Sequence, residues 1–295
     1  MTKRDTMTVV NQPLEVKSKL PDIGTTIFTI MSQLAVEHNA INLGQGFPEF
    51  NPDEKLLDLV LEAMKAGHNQ YAPMPGIAIF RNQIAEKVKK LYNADINADY
   101  EITVTSGATE ALMVAIQAIV HPGDEVIVVE PSYDSYVPCI RLAGGTPVYV
   151  QLNKPTKENP SYSMNWQQLK DAINEKTKLI ILNFPHNPTG ITLKQEDLNI
   201  LAEITRNKNI FLIADEVYEH IVFKKQSFSS FLTHPELRAK TFAISSFGKT
   251  YHNTGWKIGY CIAPPKLTTE FRKIHQFTVF SVPTPMQFAL AEFMK

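Results

Sequence analysis

Seven short apolar runs punctuate the chain, at Glu101–Thr105, Glu125–Glu130, Thr146–Leu152, Lys178–Asn183, Ile210–Asp215, Thr241–Ser245 and Ile258–Ala263. Most are nearly continuous rather than alternating, which is the pattern of strands covered on both faces. Stretches of helical spacing lie between many of them: Phe80, Ile84, Val88 and Leu91 form one stripe, and Leu112, Ala115, Ile116 and Ile119 another. The alternation predicts an α/β fold with a mainly parallel, seven-stranded sheet flanked by helices, and both stripes are expected to pack on that sheet. Thr192 and Gln195 have capping-box spacing ahead of a further helix, and Asn153–Ser163, rich in Pro, Asn and Lys, reads as a surface loop.

The ends differ from the middle. Residues 1–45 combine a polar lead, a helix-like Thr26–His38 and the loop entry Gly44-Gln45-Gly46, which predicts an N-terminal arm with a small-domain segment, followed by a large domain over residues 46–295. Pro283–Lys295 opens as a helix with Met286, Leu290 and Phe293 on related faces and has no glycine cap, so a helix interrupted partway is expected there.

Composition narrows the classes of function. With 295 residues, 44% of them hydrophobic, the chain can bury a large core. A net charge of −1, from 29 basic and 30 acidic residues without a long like-charge block, argues against a nucleic-acid partner or a membrane surface. Lys87, Lys89 and Lys90 are expected on a solvated helix face. Residues 1–20 carry charges throughout and no sustained apolar run, so neither a secretory signal nor an anchor is expected and the default compartment is cytoplasmic. Cys139 and Cys261 lack metal-ligand spacing; they read as buried or free thiols, with no metal site expected.

The chemistry concentrates where strands end. Lys249 follows the strand at Thr241–Ser245, with the Ser246 hydroxyl three residues before it and Lys257 eight after. Pyridoxal phosphate needs such a set: an amine for its aldehyde, and donors with positive charge for its phosphate. Ser106-Gly107-Ala108-Thr109 turns from a strand into a helix, where free amides can cradle a phosphate, although such a turn alone is ordinarily a helix cap. Asp215 ends another strand, as either a cap or an anionic partner for a pyridinium nitrogen, with Tyr218 three residues on as a donor to a phenolic oxygen or a core tyrosine. In Asn183-Phe184-Pro185-His186-Asn187-Pro188-Thr189-Gly190 the prolines shape a loop that can aim Asn187 into a crevice, or a plain turn; His186 is assigned no chemistry. Tyr133, after the Glu125–Glu130 strand, can stack on a flat ring or pack in a core.

Together these segments resemble the fold-type I pyridoxal-phosphate aminotransferases of class I/II. The carriers are Gly44 to Phe50, Gln70-Tyr71-Ala72-Pro73, Ser106 to Thr109, Asn187 to Gly190, Asp215 to Glu219, and Ser246 through Gly259. Ser245-Ser246-Phe247-Gly248-Lys249-Thr250-Tyr251-His252 and Gln45-Gly46-Phe47-Pro48-Glu49-Phe50 are similar to the methionine and kynurenine aminotransferase branch. The resemblance implies that Lys249 bonds the cofactor covalently and moves protons at the substrate. Asp215 then pairs with the pyridine nitrogen, Asn187 and Tyr218 contact the phenolic oxygen, and Tyr133 stacks on the ring. Gly107, Ala108, Thr109, Ser246 and Lys257 hold the phosphate, and Tyr71 reaches the phosphate of a neighbouring subunit in a homodimer with shared active sites. Position 257 is Lys where many relatives carry Arg, which keeps the charge and loses the bidentate fork.

The implied reaction moves an amino group from an amino acid, methionine or aromatic, to a 2-oxo acid. Gly46 and Asn187 are implied as substrate contacts; Phe47, Tyr71 and Tyr133 read either as an apolar pocket lining or as structural aromatics. Family members continue into a small-domain portion with an arginine that pairs with the substrate carboxylate. That residue has no counterpart before Lys295, so a C-terminally truncated chain with an incomplete small domain and weak turnover is the expectation. The competing readings are a carbon–sulfur β-lyase using the same cofactor and a non-catalytic cofactor-binding module.

Overall fold

A computed structural model of the chain describes residues 14–46, 50–223 and 226–295. Its strands are β1 Ile102–Thr105, β2 Glu125–Glu130, β3 Thr146–Gln151, β4 Thr177–Asn183, β5 Phe211–Asp215, β6 Thr241–Ser246 and β7 Gly259–Ile262. Its α-helices are α1 Ile27–Glu37, α2 Glu54–Lys65, α3 Ala78–Tyr92, α4 Gly107–Ile119, α5 Tyr136–Leu142, α6 Trp166–Ala172, α7 Gln195–Thr205, α8 Pro235–Arg238, α9 Phe247–Thr250, α10 Pro265–Thr278 and α11 Thr284–Phe293. All seven expected strands are present, and the sheet order is β1-β7-β6-β5-β4-β2-β3. Pairing is parallel from β3 through β6; β7 alone runs against both of its neighbours.

The near-continuous apolar strands make sense of the layers. Val126 and Val128, Leu179 and Ile181, and Ile213 project into a core shared with α4, α5 and α10. The intervening Ile127, Val129, Ile180, Leu182, Leu212 and Ala214 project into a second core under α6, α7 and α8. Alternate residues therefore face opposite layers, and both faces are dry. A third core joins α2, α3 and α11 to β1 and β7. Both helical stripes pack as expected except at Leu91, which is 50% exposed.

Two other expectations are corrected. Thr192 does not cap α7: its hydroxyl donates to the Ser227 carbonyl, and the helix start is closed instead by Asp197, which accepts from the Lys194 amide at 2.9 Å. Lys87 is not on a solvated face. Its ammonium lies inside, 2.5 Å from Glu219 Oε1 and 2.7 Å from the Tyr260 hydroxyl, while Lys89 remains outside, paired with Asp95. Among the described residues no helix is long and apolar enough to cross a membrane and no group of side chains could hold a metal ion. Both cysteines are free and buried.

Candidate active site

Because β7 is antiparallel to both neighbours, β1 runs in the same direction as β6, and the carboxyl ends of β1, β2, β4, β5 and β6 all open on one edge. In open α/β sheets such an edge is where a crevice forms. A cavity of about 280 Å³ lies there, lined by the Gly107–Thr109 turn, Tyr133, the ends of β4 and β5, and Lys249.

Register brings the polar groups together. Gly259 pairs with Ser246 on one side and Thr105 on the other. The residues just before it, Lys257 among them, therefore lie between the Ser246 turn and the start of α4. Gly107 has φ +73°, and a Cβ there would lie 3.1 Å from Lys257 Nζ, so the ammonium sits directly on the turn. A Cβ on Gly259 would lie 2.8 Å from both Gly107 C and Ala108 N, so only glycine permits strand and turn to approach this closely. The first amides of α4 have no intrahelical acceptor and carry the positive end of the helix dipole. With Lys257 beside them they form an anion cradle, which Ser246 closes: its hydroxyl accepts from the Gly248 amide at 3.1 Å.

Asp215 and Asn183 end adjacent strands in register. The Asn183 amide donates to the Asp215 carbonyl at 3.0 Å, and its own oxygen accepts from the Asn187 amide nitrogen of the main chain at 3.1 Å. Asp215 is 3% exposed. Burial pushes its carboxyl up to about 6 against the opposing pull of the Tyr136 hydroxyl, 2.6 Å from Oδ2, and the Val217 amide. A buried carboxylate with so few donors is poised to accept a cation. Asn187 donates to the Tyr218 hydroxyl at 3.2 Å, and Asn187 follows a cis Phe184–Pro185 bond and precedes a cis Pro188.

Lys249, on α9, points its Nζ at the Gly46 carbonyl, 2.5 Å away, and over the Tyr218 ring at 5.6 Å. Burial, reinforced by the nearby Lys257 charge, lowers its pKa, which favours the neutral amine a nucleophile needs. His186, given no role from sequence, bonds Thr189, and burial lowers it to about 4, so it is a neutral structural group.

Of the expected site residues, Gly107, Ala108, Thr109, Tyr133, Asp215, Tyr218, Ser246, Lys249 and Lys257 line the one cavity. Gly46 and Asn187 touch it through Lys249 and Tyr218. Tyr71 does not: it is 82% exposed, packed edge-on against Phe280. Phe47, with Pro48 and Glu49, lies outside the described residues. Gln45, Asn183, Val217, Gly248 and Thr254 line the cavity without having been singled out, and Tyr136 was passed over although it lies three residues beyond Tyr133 in the same segment.

An α/β sheet that presents a lysine, a buried aspartate and an anion cradle at one edge is suited to an enzyme that binds an anionic ligand beside a reactive amine. Residues 38–295 match the family model for aminotransferase class I and II, and the chain belongs to that family. It is 49% identical over 287 residues to the methionine aminotransferase of Escherichia coli K12, covering 97% of this chain and 73% of that protein. It is 38% identical to the kynurenine–oxoglutarate transaminase of Dictyostelium discoideum, covering 91% of this chain and 65% of that one. The solved Escherichia coli methionine aminotransferase superposes with a TM-score of 0.90 over 96% of this chain and 72% of that chain. The N-succinyldiaminopimelate aminotransferase of Mycobacterium tuberculosis superposes with a TM-score of 0.90 at 37% identity, covering 95% of this chain and 72% of that one.

Proposed function

We propose that this aminotransferase holds pyridoxal phosphate in the cavity at the sheet edge and moves an amino group from a sulfur-containing or aromatic amino acid to a 2-oxo acid. The observation that carries the reading is the convergence on one cavity of a lysine of lowered pKa, a buried aspartate and a cationic turn. The residues fit the group: the Gly107–Thr109 amides, Ser246 and Lys257 suit a phosphate, Asp215 a protonated ring nitrogen, Tyr218 and Asn187 a phenolic oxygen, and Lys249 an aldehyde. When bound, the cofactor supplies an electron-accepting ring that stabilises negative charge at the substrate α-carbon.

The chain's own residues do the rest. Burial and the nearby Lys257 charge lower the pKa of Lys249, and in its neutral form Nζ has a lone pair with which to take a proton at the α-carbon and return it elsewhere. Asp215, dry on the sheet side, presents fixed negative charge to a ring cation, and Tyr136 keeps one of its oxygens oriented. Asn187 holds Tyr218 in place with a neutral hydrogen bond. The cradle fixes the phosphate end, which aligns the other groups with the reacting bonds. The Gly46 carbonyl marks where Lys249 rests, and Gly46 and Asn187 stand close enough to Lys249 and Tyr218 to contact a substrate. Exposed Tyr71 is free to reach a second subunit, which fits a homodimer with shared sites.

The donor class rests on the methionine and kynurenine aminotransferases among the relatives and on the aromatic lining by Tyr133 and Tyr218. The test is a panel of amino acids against one 2-oxo acid with pyridoxal phosphate present. Amino transfer strongest with methionine or aromatic donors supports the reading. Pyruvate release from cysteine conjugates without any 2-oxo acid identifies a β-lyase instead, and cofactor binding without either product identifies a binding module.

A further inference from the structure

A buried pair outside the cavity touches the anion cradle from behind. Glu110, in the first turn of α4, accepts the Ser106 amide on Oε2 at 2.9 Å, and its Oε1 lies 2.8 Å from Nδ1 of His275 on α10. The other ring nitrogen of His275, Nε2, lies 3.1 Å from the Met74 carbonyl. The imidazole is fully buried and the carboxyl nearly so. A carbonyl only accepts, so Nε2 carries a proton; Nδ1 then bonds Glu110 as an ion pair, or accepts from the protonated carboxyl. Either way every polar atom of the pair is used, and the chain of bonds runs from the cradle through two side chains to the loop before α3. That loop is itself fastened to β1, since the Val104 amide donates to the Pro75 carbonyl and Gly76 abuts the Val104 side chain.

We propose that Glu110 and His275 are positioning residues for the cradle. By drawing the Ser106 amide back toward the helix, Glu110 fixes the Thr105–Ser106 peptide one residue ahead of Gly107, whose left-handed backbone then starts from a set direction. His275 holds Glu110 against the Met74 loop, so the amides of residues 107–109 face the cavity before any anion arrives. Such preorganisation strengthens binding without a new contact to the ligand. The inference rests on the reading of the turn as a phosphate site.

The experiment compares pyridoxal phosphate with pyridoxal, which offers Lys249 the same aldehyde and gives the cradle nothing. Affinities for both are read from the absorbance change on titrating the whole chain, in wild type, Glu110→Ala, Glu110→Gln and His275→Phe. The ratio of the two affinities reports the cradle alone. Losing the orientation of one charge-assisted hydrogen bond lowers that ratio about tenfold in Glu110→Ala and His275→Phe, with pyridoxal affinity changed less than about twofold. Glu110→Gln keeps the ratio near wild type, because its oxygen still accepts from Ser106 and its amide can donate to a neutral Nδ1. The proposal is overturned if Glu110→Ala and Glu110→Gln have equal ratios, or if both affinities fall in parallel; this comparison decides even where His275→Phe fails to fold. A wild type that does not favour pyridoxal phosphate over pyridoxal would instead remove the cofactor assignment itself.

Discussion

Replacing Lys87 by Met is predicted to destabilise the protein far more than a substitution on a charged helix normally does. Glu219 is 7% exposed and Lys87 is the cation in contact with it; Ser245 and Tyr92 donate to it at 2.5 Å and Tyr260 lies at 3.2 Å. Burial works against the ionised Glu219, yet the Lys87 charge and these donors hold its pKa below the ordinary value. Burial also works against the Lys87 ammonium, and the Tyr260 and Glu219 partners outweigh it and raise its pKa. A raised lysine contributes its stability fully at neutral pH; a depressed glutamate contributes above its unfolded pKa and loses that contribution as pH falls through its folded pKa. Lys87→Met removes the first and reverses the second, leaving a buried carboxylate with hydroxyl donors only. Breaking one partner of a buried pair costs about 3–5 kcal/mol, which at roughly 2 °C per kcal/mol for a chain of this size is a fall of about 6–10 °C in Tm. As pH falls the orphaned carboxyl takes up a proton more readily than the paired one, so the deficit shrinks on the acid side. The double variant Lys87→Met with Glu219→Gln restores about half of the loss, because no buried charge remains. Urea titrations at pH 7 and pH 5 measure each step. A single variant within 1 kcal/mol of wild type at pH 7, or a double variant no better than the single, would refute the assignment of Lys87 as the counterion of Glu219.

Gly259→Ala sets a Cβ 2.8 Å from main-chain atoms of the cradle and 2.9 Å from the Ser245 carbonyl. It is expected to cost about 1–3 kcal/mol and to weaken pyridoxal phosphate binding more than tenfold, checked by thermal melts and titration. Asp215, raised by burial to about 6, protonates as pH falls through that value, so cofactor affinity should drop on the acid side of pH 6 and this dependence should vanish in Asp215→Asn. Without cofactor the sign is opposite: a raised carboxyl pKa adds stability below the unfolded value, near 4, and that gain is lost as pH rises through 6. Between pH 7 and pH 5 the unliganded wild type should therefore gain stability relative to Asp215→Asn, whose side chain does not titrate, as thermal melts of both proteins at the two pH values check.

The strands were legible because most are nearly continuous apolar runs, and a run such as Val126–Val129 or Leu179–Leu182, covered on both faces, leaves little ambiguity about its place. The antiparallel course of β7 was not, since nothing in Gly259–Ile262 states the direction of its neighbours; yet that course delivers Lys257 to the cradle. Lys249, Asp215 and the 106–109 turn were readable because each sits where a strand ends. Lys87 was misread for a physical reason: helical spacing shows which face is polar, and cannot show that a carboxylate 132 residues away is buried against it. Tyr136 and Asn183 escaped notice similarly, because their partner Asp215 is adjacent only across the sheet. Glu110 looked like an ordinary first-turn acid, and His275 like any helix residue, until α10 brought them together.

The most direct test of the account is chemical. The chain loaded with pyridoxal phosphate is reduced with borohydride, digested, and searched by mass for the fixed pyridoxyl group. The expected result is modification of Lys249 alone, abolished in Lys249→Ala together with the absorbance of the bound cofactor. Modification spread over surface lysines, centred on Lys257, or unchanged in Lys249→Ala would contradict it.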